Sequence, residues 1–124
     1  MAKILAVDDD PRILKLIKNS LEKDNHIVTV IDNPLDIDFN QLREYDLILL
    51  DIMMPNIDGF AFCEKIRDLV DYPIVFLTAK NMESDIMYGL GIGGDDYITK
   101  PFGIGELRAR VGAHLRREKR EKRN

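Results

Sequence analysis

Short apolar runs alternate with helical patterns along the whole chain. Five runs are rich in aliphatic and β-branched residues and too short for ordinary helices, so they predict strands. They comprise residues 3–7, 27–31, 47–50, 74–77 and 97–99. Five further segments predict helices, and most of them carry apolar residues at the spacing of one helix face. They comprise residues 11–23, 33–43, 60–70, 81–90 and the segment from 104 into the tail. Five strand-helix repeats predict an α/β fold, a parallel sheet with helices on both faces.

Two of the predicted helices are weakly patterned. Residues 33–43 lack a clear apolar stripe, although Asn33 and Pro34 suit a helix start. Residues 81–90 have a patchy stripe and run into a stretch with four glycines between residues 89 and 94. Because glycine loses more backbone freedom on folding than other residues, we expect this fourth helix to be marginally stable.

The length and the amino-acid composition are those of one ordinary globular domain. The chain has 124 residues, of which 45% are hydrophobic and 32% charged. It has no long apolar segment and no signal-peptide pattern, so we expect a cytoplasmic protein without membrane contact. The single cysteine, Cys63, lies in a helical pattern and is expected in the core. His26 and His114 are expected at the surface.

Charge is unevenly distributed, although the net charge is only −4. Acidic residues cluster after the first and third predicted strands, whereas residues 116–123 are strongly basic. The acidic balance argues against nucleic-acid binding by the domain itself. The basic segment contains interleaved glutamates and no aromatic residue, so we interpret it as a solvated helix end or linker.

Polar side chains follow four of the predicted strands at the points where the strands end. Asp8 and Asp9 follow the first strand, Asp51 the third, Thr78 the fourth and Lys100 the fifth. The carboxyl ends of parallel strands meet at one edge of a sheet, where ligands bind. Three carboxylates there would repel one another unless a cation joined them, and oxygen ligands of this kind suit Mg²⁺.

This set of side chains predicts an anion site for a phosphoryl group. An ionised carboxylate can attack phosphorus directly and form an aspartyl-phosphate, so no general base is needed. Mg²⁺ would neutralise charge on the phosphoryl group, and Lys100 would pair with its oxygens. The glycines near residue 90 lack the spacing of a nucleotide-binding phosphate loop.

Four motifs together resemble the receiver domain of two-component response regulators over essentially the whole chain. They are VDDD at 7–10, LLDIMMPNIDG at 49–59, LTA at 77–79 and DDYITKPF at 95–102. The resemblance implies a flavodoxin-like (βα)5 fold with strand order 2-1-3-4-5, an order that the family supplies and that residue spacing alone does not. It also implies a cis peptide bond before Pro101.

The resemblance assigns roles to the residues at the strand ends. Asp51 would be the phosphoacceptor, and Lys100 would contact the phosphoryl group. Asp8, Asp9, Asp51 and the backbone carbonyl of Met53 would hold Mg²⁺. Thr78 and Tyr97 resemble the family's switch pair, in which the hydroxyl moves to the phosphoryl oxygen and the tyrosine rotates inward.

The segment after the fifth strand resembles the winged-helix OmpR/PhoB subfamily. Its receivers form homodimers through the fourth helix, the fifth strand and the fifth helix. The residues matching charged positions of that face are Asp95, Asp96, Glu106, Arg110 and Arg117. Ile86 departs from the pattern, since the subfamily usually has a basic residue there to pair with Glu106. We therefore expect a receiver domain at residues 1–117 and a basic linker at 118–124, leading to a DNA-binding domain absent from this chain.

By this resemblance the chain is a phosphorylation-dependent switch that takes its phosphoryl group from a sensor histidine kinase. It would control transcription through the DNA-binding domain and would not be an enzyme acting on outside substrates. Three alternatives stay open: a stand-alone single-domain receiver, a degenerate receiver that only binds partners, and a Mg²⁺-dependent phosphatase using an aspartyl-phosphate. Such phosphatases carry a second aspartate two residues after the nucleophile, where this chain has Met53.

Overall fold

A five-stranded parallel sheet forms the centre of the computed structural model, which describes residues 1–122. The strands are β1 (Lys3–Val7), β2 (Ile27–Ile31), β3 (Leu47–Leu50), β6 (Ile74–Thr78) and β7 (Asp96–Thr99). A two-stranded ribbon, β4 (Met53–Met54) and β5 (Ile57–Asp58), lies apart from this sheet. The helices are α1 (Pro11–Glu22), α2 (Gly59–Arg67), α3 (Glu83–Gly91) and α4 (Ile104–Lys122). The sheet order, β2-β1-β3-β6-β7, confirms the predicted 2-1-3-4-5 arrangement.

The two central strands explain the continuous apolar runs of the sequence. Every residue of β3 and of β6 is buried, because each strand is covered on both faces. Alternate side chains enter two separate cores. Leu5, Ile48 and Phe76 point into the core that also contains Cys63, while Ile4 and Leu49 point into the core beneath α1 and α4. The expectation for Cys63 is confirmed.

The start of α1 follows its predicted signals. The side chain of Asp10 accepts a hydrogen bond from the backbone N–H of Arg12, and Pro11 occupies the first turn. Leu14, Ile17 and Leu21 are buried on one face. The expected cis peptide bond between Lys100 and Pro101 is present.

The predicted helix at residues 33–43 was wrong. The chain instead forms two 3₁₀ turns, Pro34–Asp36 and Leu42–Glu44. Side chains satisfy the backbone locally, since Asn33 accepts from the N–H of Leu35 and Asp38 from that of Asn40. Such bonds compete with helix formation. Ile37 and Leu42 of this segment are nevertheless buried in the core that contains Cys63.

The other strand and helix boundaries agree with the sequence prediction to within two residues, except at the end of α2. Helix α2 ends at Arg67, short of residue 70, and the chain leaves it through a turn in which the N–H of Leu69 donates to the carbonyl of Ile66. Helix α4 continues through Lys122, so no structural break marks the predicted boundary at residue 117. Residues 123 and 124 of the predicted linker lie outside the described residues.

The prediction for His114 was also wrong. This side chain is buried, and its Nε2 lies 3.0 Å from a carboxylate oxygen of Asp96. Within residues 1–122, no helix is both long enough and apolar enough to cross a membrane.

Candidate functional site

Three carboxylates meet where β1 and β3 end side by side. Val7 and Leu50 are register partners in these strands, so Asp8 and Asp51 emerge next to each other. Asp8, Asp9 and Asp51 each offer one oxygen, and these oxygens lie within 4.8 Å of one another. Asp8 and Asp51 are buried, whereas Asp9 is exposed. The strand ends thus assemble the acidic cluster expected from the sequence.

Lys100 reaches the same cluster from the end of β7. Thr78 and Thr99 are register partners, and the N–H of Lys100 donates to the carbonyl of Thr78, which fixes the backbone there. The Nζ atom of Lys100 lies 2.7 Å from Asp8 and 3.2 Å from Asp51. One ammonium group therefore bridges two buried carboxylates.

Burial and neighbouring charges shift the pKa values of Asp8 and Lys100. Burial raises the pKa of Asp8 above its usual value, and the neighbouring charge of Asp51 adds to the effect. For Lys100, burial acts to lower the pKa, but the hydrogen bond to Asp8 and the charge of Asp51 outweigh it, so the pKa is raised. The lysine therefore stays charged and pairs with both carboxylates.

The loop after Asp51 is held by close backbone packing. The N–H of Met53 donates to the Asp51 carboxylate at 3.1 Å, and the N–H of Gly59 donates to the carbonyl of Ile52 at 3.3 Å. A Cβ atom on Gly59 would lie 2.4 Å from the Cα of Ile52 and 2.8 Å from the carbonyl oxygen of Asp51. Only glycine fits there without displacing the backbone that carries Asp51.

Thr78 and Tyr97 are linked through Lys80. The N–H of Lys80 donates to the Thr78 hydroxyl at 3.4 Å, and the Tyr97 hydroxyl donates to the Lys80 carbonyl at 2.7 Å. Thr78 is fully buried and Tyr97 is 9% exposed, so the tyrosine ring faces inward. Burial, followed by the charges of Asp85 and Asp51, raises the pKa of Tyr97 to about 12.

The residues predicted for a dimer face fall into separate groups. Arg110 pairs with both Glu106 and Asp96. The carboxylate of Asp96 also binds His114, whose hydrogen bond lowers the pKa of Asp96 to about 2 despite burial. Arg117 is exposed further along α4.

Asp95 is not part of that network. Its carboxylate accepts from Arg67 at 2.9 Å and from the backbone N–H of Ile74 at 2.8 Å. Arg67 also donates to the carbonyls of Val70, Tyr72 and Gly93. Sequence reasoning missed Arg67 and His114, because their partners are distant in sequence and no local motif marks them.

The donor set suits a hard divalent cation. Three carboxylates in this proximity match Mg²⁺, which takes a few carboxylates and keeps several waters. The exposed side of Asp9 leaves room for those waters. Asp8, Asp9 and Asp51 therefore fit the metal expected from the sequence.

Comparison with known proteins identifies relatives over almost the whole chain. Residues 4–112 match the family described as the response regulator receiver domain. The transcriptional regulatory protein SpaR of Bacillus subtilis is 61% identical over 122 residues, which cover 98% of this chain and 56% of SpaR. The nisin biosynthesis regulatory protein NisR of Lactococcus lactis subsp. lactis is 53% identical, with 97% and 53% covered. The chain thus spans about half the length of these relatives.

Solved structures give the same result. The BeF3-activated DrrB receiver domain superposes with a TM-score of 0.86 at 32% identity, covering 94% of this chain and 98% of that one. DrrB of Thermotoga maritima is described as an OmpR/PhoB homologue. The BeF3-activated N-terminal receiver domain of Klebsiella pneumoniae RstA gives a TM-score of 0.85 at 37% identity, with 92% and 98% covered.

Proposed function

This chain belongs to the response regulator receiver domain family, and from that premise we propose that Asp51 accepts a phosphoryl group from a sensor histidine kinase. The observation that carries the proposal is the single ammonium of Lys100 bridging Asp8 and Asp51, with Asp9 beside them. A buried carboxylate flanked by a cation and by metal-binding groups is equipped to receive a phosphoryl group.

In the proposed reaction, a carboxylate oxygen of Asp51 attacks the phosphorus of a phosphohistidine. The new O–P bond forms as the P–N bond breaks, and the released imidazole nitrogen is protonated from solvent. A carboxylate nucleophile has no proton that must be removed before it attacks, so this chain needs to supply no general base. Lys100 and the Thr78 hydroxyl would hold the oxygens of the transferred group.

Receiver domains bind Mg²⁺ at an acidic pocket, and the acidic cluster here would hold that ion. The ligands we propose are Asp8, Asp9, Asp51 and the backbone carbonyl of Met53. The ion would supply positive charge opposite the phosphoryl oxygens. The loop packed against Gly59 holds the Met53 peptide next to Asp51.

The proposed response to phosphorylation is a shift between two packings of Thr78 and Tyr97. Lys80 connects the two residues, so a movement of the Thr78 hydroxyl toward the phosphoryl group would change the peptide that holds Tyr97. We propose that this favours a homodimer through α3, β7 and α4, on a face including Asp96, Glu106, Arg110 and Arg117. Asp95 would belong to the same face, since its side chain stays partly exposed while it binds Arg67.

Receiver domains of this family serve as signalling switches rather than as conventional enzymes. Because the relatives are transcriptional regulators about twice as long, we propose that residues 1–117 form the receiver of a cytoplasmic regulator. Residues 118–124 would then lead toward a DNA-binding domain, and DNA contact would occur through that domain. A stand-alone receiver is the second candidate, and it would keep the same phosphorylation chemistry.

The phosphatase alternative is less well supported. Met53 occupies the position of the second aspartate, and its side chain has no acidic group to protonate a leaving group. A degenerate receiver is also disfavoured, because the acidic cluster and Lys100 are all present.

Intact mass spectrometry tests the proposal. After incubation with Mg²⁺ and acetyl phosphate, we expect one phosphate adduct that requires Mg²⁺. Asp51→Asn should abolish the adduct, whereas the exposed control Asp36→Asn should retain it. Failure of the parent protein to take up phosphate would support a binding module instead. Continuous phosphate release beyond one equivalent would support a phosphatase.

A further inference from the structure

Three aromatic rings meet beneath α3. The centroids of Phe60 and Phe76 lie 5.7 Å apart with the rings close to perpendicular, and those of Phe76 and Tyr97 lie 5.6 Å apart. These rings come from three elements, since Phe60 lies in the first turn of α2, Phe76 in β6 and Tyr97 in β7. We call these three rings, with Tyr97 in its inward position, the aromatic box.

Gly89 of α3 closes this box. A Cβ atom at this position would lie 3.0 Å from Phe76, 3.1 Å from Phe60 and 3.1 Å from Tyr97. Carbon atoms in favourable contact lie about 3.5–4.0 Å apart, so a methyl group would press on all three rings at once. The space in which Tyr97 rests therefore depends on the missing side chain of Gly89.

The three rings are not equally free to yield. Phe76 is fully buried in a strand with neighbours on both sides. Phe60 has the ring of Tyr88 packed edge-on at 4.9 Å and the Lys80 ammonium 5.9 Å from its centroid. Tyr97 lies on β7, the last strand of the sheet, and its hydroxyl group donates to the carbonyl of Lys80. Outward rotation of Tyr97 would therefore relieve the crowding without disturbing Phe76 or the packing of Phe60 against Tyr88.

We propose that Gly89 is a positioning residue that provides the seat for the inward ring of Tyr97 and thereby sets the balance between its inward and outward positions. This inference rests on the proposed switch role of Thr78 and Tyr97, and it adds a residue of α3 that touches neither the phosphoacceptor nor the metal ligands. Outward rotation of Tyr97, which a side chain at residue 89 would favour, breaks the bond from the Tyr97 hydroxyl to the Lys80 carbonyl. The Lys80 peptide would then no longer tie Tyr97 to Thr78.

A neighbouring glycine provides a matched control. A Cβ atom on Gly91, the last residue of the same helix, would have no atom within 4 Å. Gly89→Ala and Gly91→Ala make the same chemical change in α3. They differ in whether the new methyl group meets the aromatic box.

The orientation of Tyr97 can be measured without any phosphoryl group. In protein labelled with 3-fluorotyrosine, the ¹⁹F resonance of Tyr97 is assigned by its loss in Tyr97→Phe. We expect Gly89→Ala to move the ratio of inward to outward ring toward the outward form by about tenfold or more, since overpacking of this kind is destabilising. The resonance should gain accessibility to a soluble paramagnetic probe. Gly91→Ala should leave it unchanged.

Two outcomes would overturn the inference. One is a folded Gly89→Ala protein whose Tyr97 resonance keeps its position and its protection from the probe. The other applies if Gly89→Ala fails to fold. A second substitution, Tyr97→Ala, removes the crowded ring and should then restore folding. A double variant that stays unfolded would contradict the proposed role of Gly89. Addition of Mg²⁺ and BeF3⁻ is a separate arm. If the Tyr97 resonance of the parent protein does not change on their addition, the proposed phosphorylation switch is contradicted, whereas the comparison of Gly89→Ala with Gly91→Ala still tests the role of Gly89.

Discussion

The ammonium group of Lys100 lies closer to Asp8, at 2.7 Å, than to Asp51, at 3.2 Å. Lys100 thus neutralises a proposed metal ligand more directly than the proposed phosphoacceptor. A cation that binds Asp8 must share this carboxylate with the lysine or displace it. The ammonium group would then be free to move toward Asp51 and the group that Asp51 carries.

This competition predicts tighter metal binding when the lysine is removed. Lys100→Met leaves Asp8 and Asp51 without their shared counter-charge, so we expect Mg²⁺ affinity to rise on the order of tenfold. Isothermal titration calorimetry with MgCl₂ measures the affinity of each variant for Mg²⁺. Lys65→Met is the control, because the Lys65 ammonium lies over the ring of Phe39 rather than beside these carboxylates. Unchanged or weaker binding by Lys100→Met would contradict the competition.

Gly59→Ala should damage the site through the backbone. The added Cβ would meet the Cα of Ile52 at 2.4 Å and the carbonyl of Asp51 at 2.8 Å, and no side-chain rotation can relieve contacts with main-chain atoms. We expect a loss of about 2 kcal/mol or more in the free energy of unfolding, measured by urea denaturation. Gly103→Ala, whose nearest neighbour would be 4.0 Å away, should be tolerated. Equal stabilities for the two variants would refute this packing argument.

Two arginine–aspartate pairs should differ sharply in their contribution to stability. Arg67 donates to Asp95 and to three backbone carbonyls, so Arg67→Met leaves several acceptors without a donor. We expect it to cost about 2–4 kcal/mol. Arg108 pairs with Asp24 through two hydrogen bonds, but this pair is half-exposed, and within the described residues Arg108 donates to no backbone carbonyl. Arg108→Met should change stability little. Urea denaturation of both variants gives their free energies of unfolding. A larger loss of stability for Arg108→Met than for Arg67→Met would contradict this prediction.

The residue pattern was sufficient to predict a parallel sheet and the acidic cluster, whereas the strand order came from the family resemblance. Buried parallel strands leave continuous apolar runs, and the carboxyl ends of such strands must lie together. Asp8, Asp51 and Lys100 could therefore be placed at one edge of the sheet from their positions in the chain. The segment at 33–43 could not be placed in this way, because local side-chain bonds from Asn33 and Asp38 compete with helix formation and no apolar period reports them.

Long-range polar partners were equally hidden. Arg67 and Asp95 are separated by 28 residues, and His114 and Asp96 by 18, so their contacts depend on how α2 and α4 cross the sheet. The importance of Gly89 is also invisible in sequence, where its four-glycine neighbourhood suggested only a weak helix. What distinguishes Gly89 from Gly91 is the three rings beneath the former and the open space around the latter.

The carboxylate of Asp96 should make stability depend on pH in the acid range. Its hydrogen bond with His114 lowers its pKa from 3.8 to about 2 in the folded protein. The unfolded chain therefore binds the proton more tightly, so the stabilisation is fully present above pH 4 and is lost as the pH falls through about 2. The shift corresponds to about 2 kcal/mol. Urea denaturation at several pH values should show Asp96→Asn less stable than the parent by about this amount at pH 7, and the gap should narrow below pH 4. Asp71→Asn removes an exposed carboxylate and should show no such narrowing. A gap for Asp96→Asn that stays constant down to pH 2 would mean that its cause is lost packing rather than the charge of Asp96.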